Sequence, residues 1–287
     1  RSAIGSPRRG TCKPMPQSAS AERNRTMTRR EQLHFLITAL QREMPEYAVH
    51  NLPKDEAAAF DLFRTLCNLR RPGAPKLPEA FYATERDVLR SITEAKGVTD
   101  SENLPSVKAD PRLILWQGDI TALRADAIVN AANSQMLGCF VPHHFCIDNE
   151  IHTMAGVELR EKCFAIMQAQ GVEEPAGRAK ITPGYNLPAK YVLHTVGPIV
   201  HGPLTKSHRH LLASCYRACL SLAAEYGCRT VAFCCISTGV FLFPNQPAAE
   251  IAVKTVRQYY EETGSQMKVI FNVFKDEDFL IYHRLLS

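Results

Sequence analysis

Hydrophobic positions along the chain fall into two regimes. Over residues 28–108 they recur at helical spacing. Leu33, Leu36, Ile37, Leu40 and Met44 form one stripe. Phe60, Phe63, Leu66 and Cys67 form a second after the turn Asn51-Leu52-Pro53-Lys54, and Tyr82, Val88, Leu89 and Ile92 a third after Pro72, Gly73, Pro75 and Pro78. From residue 113 onward, short apolar runs at 113–116, 127–130, 179–182, 191–196, 230–236 and 268–273 alternate with helical patterns at about 149–169, 206–226, 245–262 and 276–286. That alternation predicts an α/β domain whose mostly parallel sheet is covered by helices on both faces.

The polar, Pro-bearing stretch 100–111 marks the change of regime. Three segments are expected: a disordered tail at 1–27, with Met27 a candidate natural start, a helical extension at 28–110 and an α/β domain at 111–287. The extension is too small to bury a core alone, so it is expected to pack on the domain as a stabilising element rather than as a substrate lid.

Composition narrows the class. With 45% apolar residues in 287, a sizeable core is available, and no apolar run approaches the roughly 20 residues that a membrane span requires. The first residues lack the apolar core of a secretory signal, so a cytoplasmic location is expected. The net charge of +5 is misleading: residues 1–30 hold eight Lys/Arg against Glu22, which leaves the other 257 at −2. Such a body is not built to bind nucleic acid. Of the ten cysteines, Cys163, Cys215, Cys219 and Cys228 lie in helical patterns and Cys234-Cys235 in a strand pattern, as expected of buried thiols in a reducing compartment.

Cys139 and Cys146 stand apart. With His144 they form a C-x4-H-x-C cluster between the run ending in Asn133 and the next helix. Two thiolates and one imidazole make a tetrahedral zinc site with its fourth position open, as catalysis requires. A structural zinc would instead recruit His143, His152 or Cys163, and buried thiols beside a solvated His pair would need no metal. The spacing admits all three. Two other strand ends carry candidate contacts. In Gln117-Gly118-Asp119-Ile120-Thr121 the glycine permits a tight turn, and Asp119 can accept from an exocyclic amine or a ribose hydroxyl, or simply cap a helix. In Ser237-Thr238-Gly239-Val240-Phe241-Leu242-Phe243-Pro244, backbone amides leading into a helix can cradle a diphosphate without Lys or Arg. Together the three loops suit a nucleotide-diphosphate-sugar ligand.

Gln117-Gly118-Asp119-Ile120, Ala127-Ile128-Val129-Asn130-Ala131-Ala132-Asn133-Ser134, Ile151-His152-Thr153-Met154-Ala155-Gly156 and Ile236-Ser237-Thr238-Gly239 resemble the macrodomain, the ADP-ribose-binding α/β/α module. The insertion Gly138-Cys139-Phe140-x-Pro142-x-His144-x-Cys146-Ile147-Asp148-Asn149 is similar to that of the zinc-containing microbial macrodomains. The resemblance runs from about residue 113 to the C-terminus, and relatives carry a similar helical addition at the N-terminus. It implies a three-layer α/β/α fold and a zinc-dependent hydrolase that removes mono-ADP-ribose from modified proteins. The alternatives are a non-catalytic ADP-ribose reader, or an ADP-ribose phosphate phosphoesterase with a structural zinc.

Carried over residue by residue, the resemblance implies Zn2+ on Cys139, His144 and Cys146, which selects His144 over His143. It places Asp119 and Ile120 at the adenine, Asn133 at the distal ribose and Ser237, Thr238, Gly239, Val240 and Phe241 at the diphosphate, with Asn272 near the adenosine and Gly118, Asn130 and Ala131 among the further ligand contacts. Asn133 and Asp148 are the expected catalytic pair, Asp148 serving as general base or orienting the helix start and His152. The implied partners are ADP-ribose and an ADP-ribosylated protein, in some relatives a lipoyl carrier modified by a sirtuin-like transferase. Nucleic acid and membrane partners are not expected, and the protein should be a monomer. One departure from the pattern is Leu242, where relatives often have glycine, so close backbone approach is less assured there.

Overall fold

The computed structural model describes residues 27–287, so the expected tail lies, apart from Met27, outside the described residues. The three stripes of the extension become α1 (Arg29–Glu43), α2 (Glu56–Leu69) and α3 (Glu79–Lys96). Each start has a local cause. Thr28 and Glu31 close a capping box on α1, Asp55 accepts from the Ala58 N–H at 2.9 Å on α2, and Pro78 precedes α3.

The polar stretch at 100–111 that marks the change of regime is structured. It forms β1 (Thr99–Asp100) and β2 (Ser106–Val107), each two residues long and therefore without a periodicity to read. The remaining strands are β3 (Asp110–Gln117), β4 (Leu123–Arg124), β5 (Ala127–Ala132), β6 (Ala179–Pro183), β7 (Tyr191–Val196), β8 (Thr230–Phe233) and β9 (Lys268–Val273). Seven of them form one sheet in the order β2-β3-β9-β8-β5-β7-β6, while β1 pairs in parallel with β4. The five central strands are parallel and the two edge strands antiparallel, giving the mixed, mostly parallel sheet expected.

The central strands are buried on both sides, which requires cover on both faces. The helices of the α/β part are α4 (Ile147–Ala155), α5 (Val157–Gln170), α6 (Lys206–Glu225), α7 (Asn245–Thr263) and α8 (Asp276–Leu286). The single helix expected over 149–169 is two, because Gly156 breaks it at φ +91°. A side chain there would stand 2.6 Å from Asn186 Nδ2 and 2.7 Å from Glu85 Oε2, so glycine is needed for space as well as conformation.

One hydrophobic cluster runs from Leu33 and Phe63 in the extension through Ile128 and Val192 in the sheet to Val256 and Ile281. The extension is thus part of the same core. Polar ties reinforce it: Arg70 at the end of α2 donates to Glu161 of α5 at 2.7 Å, and the Tyr82 hydroxyl of α3 donates to the same carboxylate at 3.1 Å.

Candidate active site

The central strands run in parallel, so the loops after β3, β5, β8 and β9 leave the sheet at one edge, the usual place for ligands in such sheets. After β3, Asp119 caps a short 3-10 turn: its Oδ1 accepts from the Thr121 N–H at 2.9 Å and the Thr121 hydroxyl at 2.6 Å. The other oxygen, Oδ2, faces Lys96 at the end of α3 at 3.1 Å. Burial opposes ionisation here, but Thr121 and Lys96 outweigh it and hold the carboxyl below its ordinary pKa. Ile120 is buried beside it. Asn272, on β9 opposite Trp116, donates to the Gly118 carbonyl at 2.9 Å and so fixes this turn.

After β5 the chain turns sharply. Asn133 Oδ1 accepts from the Gln135 and Met136 N–H groups at 3.0 and 3.1 Å, while its Nδ2 donates to the Gly138 carbonyl at 3.1 Å and to Asp148 Oδ2 at 3.4 Å. Gly138 adopts φ +79° with the His152 ring directly behind it. Cys139, His144 and Cys146 then come together, their ligand atoms all within 4.8 Å of one another and half-buried. Cys139 Sγ lies 3.6 Å from His144 Nδ1, and Cys146 Sγ accepts from the Asn149 N–H at 3.4 Å. Cys146 is therefore the N-cap of α4, a place usually taken by an oxygen. Burial pushes its thiol up to about 12, with Cys139 and Asp148 adding to the rise. Two sulfurs and an imidazole, close together and short of a positive charge, are a donor set that fits zinc with one position left open. His143 turns away: its ring meets the Thr65 hydroxyl of α2 at 2.9 Å, and its backbone takes φ +56°.

Asp148 is buried just behind this triad. It does not cap α4, the routine role open to a carboxylate there. Its Oδ1 accepts from Asn130 Nδ2 at 2.8 Å, and the same amide lies 3.1 Å from His194 Nδ1. Asn130 was expected among the ligand contacts. Its side chain is fully buried, with Nδ2 held by Asp148 and His194 and Oδ1 without a protein partner. Ala131, next along the strand, is half-buried. Burial raises the Asp148 carboxyl to about 6, with the Asn130 hydrogen bond and the Arg160 charge opposing the rise. His152 lies 3.6 Å from Asp148 Oδ1 with neither ring nitrogen hydrogen-bonded, and burial drives both it and His194 toward the neutral form. His152, Cys163 and His194 form a second group with metal-ligand atoms, but it is wholly buried, and His194 Nε2 already meets the Thr182 hydroxyl at 3.0 Å.

The strand expected over 230–236 ends at Phe233, because the chain must turn into the next loop. Ser237 takes φ +66° there, its carbonyl accepts from the Phe243 N–H at 3.0 Å, and its buried hydroxyl has no protein partner. The Thr238 hydroxyl donates to the Cys235 carbonyl at 3.0 Å, and the Phe241 carbonyl accepts from the Val200 N–H at 2.8 Å. Gly239 has open space at its Cβ position, and Val240 is exposed. Leu242 takes the left-handed conformation, φ +57°, that glycine would adopt without strain. The backbone path suited to glycine is kept at a local conformational cost.

Lys96, Thr65, Arg64, Asn68, Asn149 and Arg160 surround the triad or the Asp119 turn, and spacing had singled out none of them. Asn149 ends the insertion quoted above, but each of the others meets the site across a gap in sequence, so their only local signal was a polar residue on a helix.

The protein is thus an α/β domain with a parallel-centred sheet that carries the Asp119 turn, the Cys139 loop and the Ser237 loop at the same ends of its strands, where such sheets hold ligands. A family model described as Macro domain matches residues 129–252. A Treponema medium protein named protein-ADP-ribose hydrolase is 50% identical over 263 residues, covering 91% of this chain and 100% of the relative. A protein of the same name from Staphylococcus aureus (strain MSSA476) is 49% identical over 251 residues, covering 87% and 93% respectively. Among solved structures, the Trypanosoma brucei macrodomain in complex with ADP-ribose superposes with a TM-score of 0.61 at 32% identity, covering 78% of this chain and 95% of that one. The chain belongs to the macrodomain family.

Proposed function

We propose that the protein is a zinc-dependent hydrolase that removes mono-ADP-ribose from modified protein side chains. The observation that carries the reading is that Cys139, His144 and Cys146 come together on the loop between Asn133 and Asp148 of α4, at the end of β5. The names of the Treponema and Staphylococcus relatives and the ADP-ribose complex of the Trypanosoma neighbour support it.

In this reading Asp119 Oδ2 accepts from the adenine amine, sharing that oxygen with Lys96. Ser237 to Phe241 hold the diphosphate through backbone amides, and the unpartnered Ser237 hydroxyl is available to it. A zinc ion on the triad would supply Lewis acidity beside the distal ribose, activating water or orienting a sugar hydroxyl. Asn133 fixes the loop that faces the sugar. Asp148, in the first turn of α4 and held by Asn130, is the carboxylate beside this loop able to receive a proton during hydrolysis at the anomeric carbon. The free thiols Cys163, Cys215, Cys219 and Cys234, all buried, suit a cytoplasmic protein, and among the described residues no helix is long and apolar enough to cross a membrane.

The test is release of ADP-ribose from an automodified transferase, before and after verified zinc removal and again after zinc is restored. Loss and recovery of release are expected. Full activity in the stripped protein would refute the metal role, and tight ADP-ribose binding without release would make the protein a reader.

A further inference from the structure

Asn149 lies where the metal loop, α4 and the extension meet. Its backbone N–H donates to Cys146 Sγ at 3.4 Å. Its side-chain Nδ2 donates to the Val141 carbonyl inside the loop at 2.9 Å and to Asn68 Oδ1 of α2 at 3.2 Å. Its Oδ1 accepts from Arg64 of α2 at 3.1 Å, and Arg64 also pairs with Glu150 at 3.0 Å. Between them, Thr65 of α2 meets the ring of His143 at 2.9 Å. From α5, the Arg160 guanidinium donates to the carbonyls of Cys67 and Asn68 at 2.7 and 3.0 Å and to that of Leu137 in the loop at 2.7 Å. The polar face of α2 is therefore laid against the metal loop and fastened to it at several points.

We propose that α2 of the N-terminal extension is a positioning element for the metal loop, with Thr65 and Asn68 setting which histidine faces the two sulfurs and how tightly the ion is held. The proposal rests on the zinc reading of Cys139, His144 and Cys146. The loop has reason to need such support. Met136, Gly138 and His143 all sit at positive φ, and for the two non-glycine residues that conformation persists only where surrounding contacts enforce it. His143 and His144 are adjacent and chemically equivalent as ligands. A ring tied to Thr65 is withdrawn from the competition, which leaves His144 beside Cys139. Asn68, an amide buried inside a helix, gains its purpose from Asn149, because without that partner its burial would be costly.

The experiment measures the zinc dissociation constant of the full chain by competition with a chromogenic chelator, alongside the thermal midpoint of the zinc-free protein. Thr65→Val and Asn68→Ala are compared with wild type and with Ile37→Val, which loosens the extension's core on α1 away from the loop. Each α2 variant should bind zinc about ten- to a hundredfold more weakly, as loss of ligand-orienting contacts generally produces. Ile37→Val should lower the thermal midpoint and leave zinc affinity unchanged. Zinc binding within about twofold of wild type in Thr65→Val and Asn68→Ala would overturn the proposal, and so would an equal loss in Ile37→Val, since general loosening would then suffice. Should Asn68→Ala fail to fold, Thr65→Val, a near-isosteric change at a half-buried position of α2, decides alone. A wild-type chain that takes up no zinc would instead refute the zinc reading, and this proposal with it.

Discussion

Replacing Glu85 by Gln should make the protein more stable at pH 8 and should abolish a pH dependence present in the wild type. Glu85 lies on α3, fully buried, and both its oxygens accept from the Val157 N–H at the start of α5, at 3.2 and 3.3 Å. Burial raises its carboxyl to about 8; the Val157 hydrogen bond works against this, while Glu158 and Glu161 add to it. The folded protein therefore holds a proton on Glu85 that the unfolded chain, with its ordinary value of 4.5, has released. Where the native state binds more protons than the unfolded state, stability falls as pH rises.

That loss spans pH 4.5 to 8, but other groups titrate in its lower part. His152 and His194 are held neutral below their ordinary 6.5, so they make stability rise with pH up to that point, and Asp148, raised to about 6, makes it fall up to there. The window from 6.5 to about 8 belongs to Glu85. At about 1.4 kcal/mol per pH unit, the wild type should lose roughly 2 kcal/mol across that window. Glutamine keeps an acceptor for Val157 and carries no charge. Urea unfolding of both proteins at several pH values between these limits gives the difference in stability, which should widen by that amount in favour of the variant. Parallel curves would show that Glu85 is already ionised in the folded state and would refute the reasoning.

Three further outcomes are expected. Gly138→Ala places a Cβ 2.8 Å from the His152 ring at φ +79°, so it should destabilise the fold by about 1–3 kcal/mol in urea unfolding and lower zinc content by elemental analysis. Asp119→Ala removes a charged acceptor and should weaken ADP-ribose binding about ten- to a hundredfold by calorimetry, with zinc content unchanged. Cys139→Ala should abolish zinc binding and ADP-ribose release while leaving a cooperatively folded domain by circular dichroism; an unfolded variant would mean that the ion is structural.

Local features were readable from the sequence, and contacts across elements were not. Strands β7 and β9 coincide with their apolar runs because both are buried on two faces and every residue contributes to the signal. Strands β1, β2 and β4 are two residues long, and no period exists at that length. The break at Gly156 had a visible cause, a glycine inside a helical pattern, but the pattern on either side reads as continuous. Likewise the triad was legible because Cys139, His144 and Cys146 are near in sequence. Its supports were not: Arg64, Thr65 and Asn68 recur at helical spacing on a polar face, which periodicity assigns to solvent. Glu85 did carry a warning, since it falls four residues after Phe81 and four before Leu89 on a buried stripe.

The burial of such groups bears on what the extension is for. An appendage that only added stability would join the α/β part through apolar surface, as the cluster shared with Leu33 and Phe63 does. Polar contacts contribute little net stability when both partners can otherwise reach water, and burying them adds a cost. Yet the extension places Lys96 on Asp119 and Glu150 at 3.1 and 3.6 Å, Arg64 and Asn68 on Asn149, and Thr65 on His143. These contacts fall at the Asp119 turn and at the loop that carries Cys139, His144 and Cys146. Their distribution is poorly suited to maximising stability and well suited to fixing two loops relative to each other. On that reasoning a variant deleting residues 28–96 should lose ADP-ribose binding by calorimetry even where the remaining sheet still folds, because it loses the contacts of Lys96 to Asp119, of Arg64 and Asn68 to Asn149 and of Thr65 to His143.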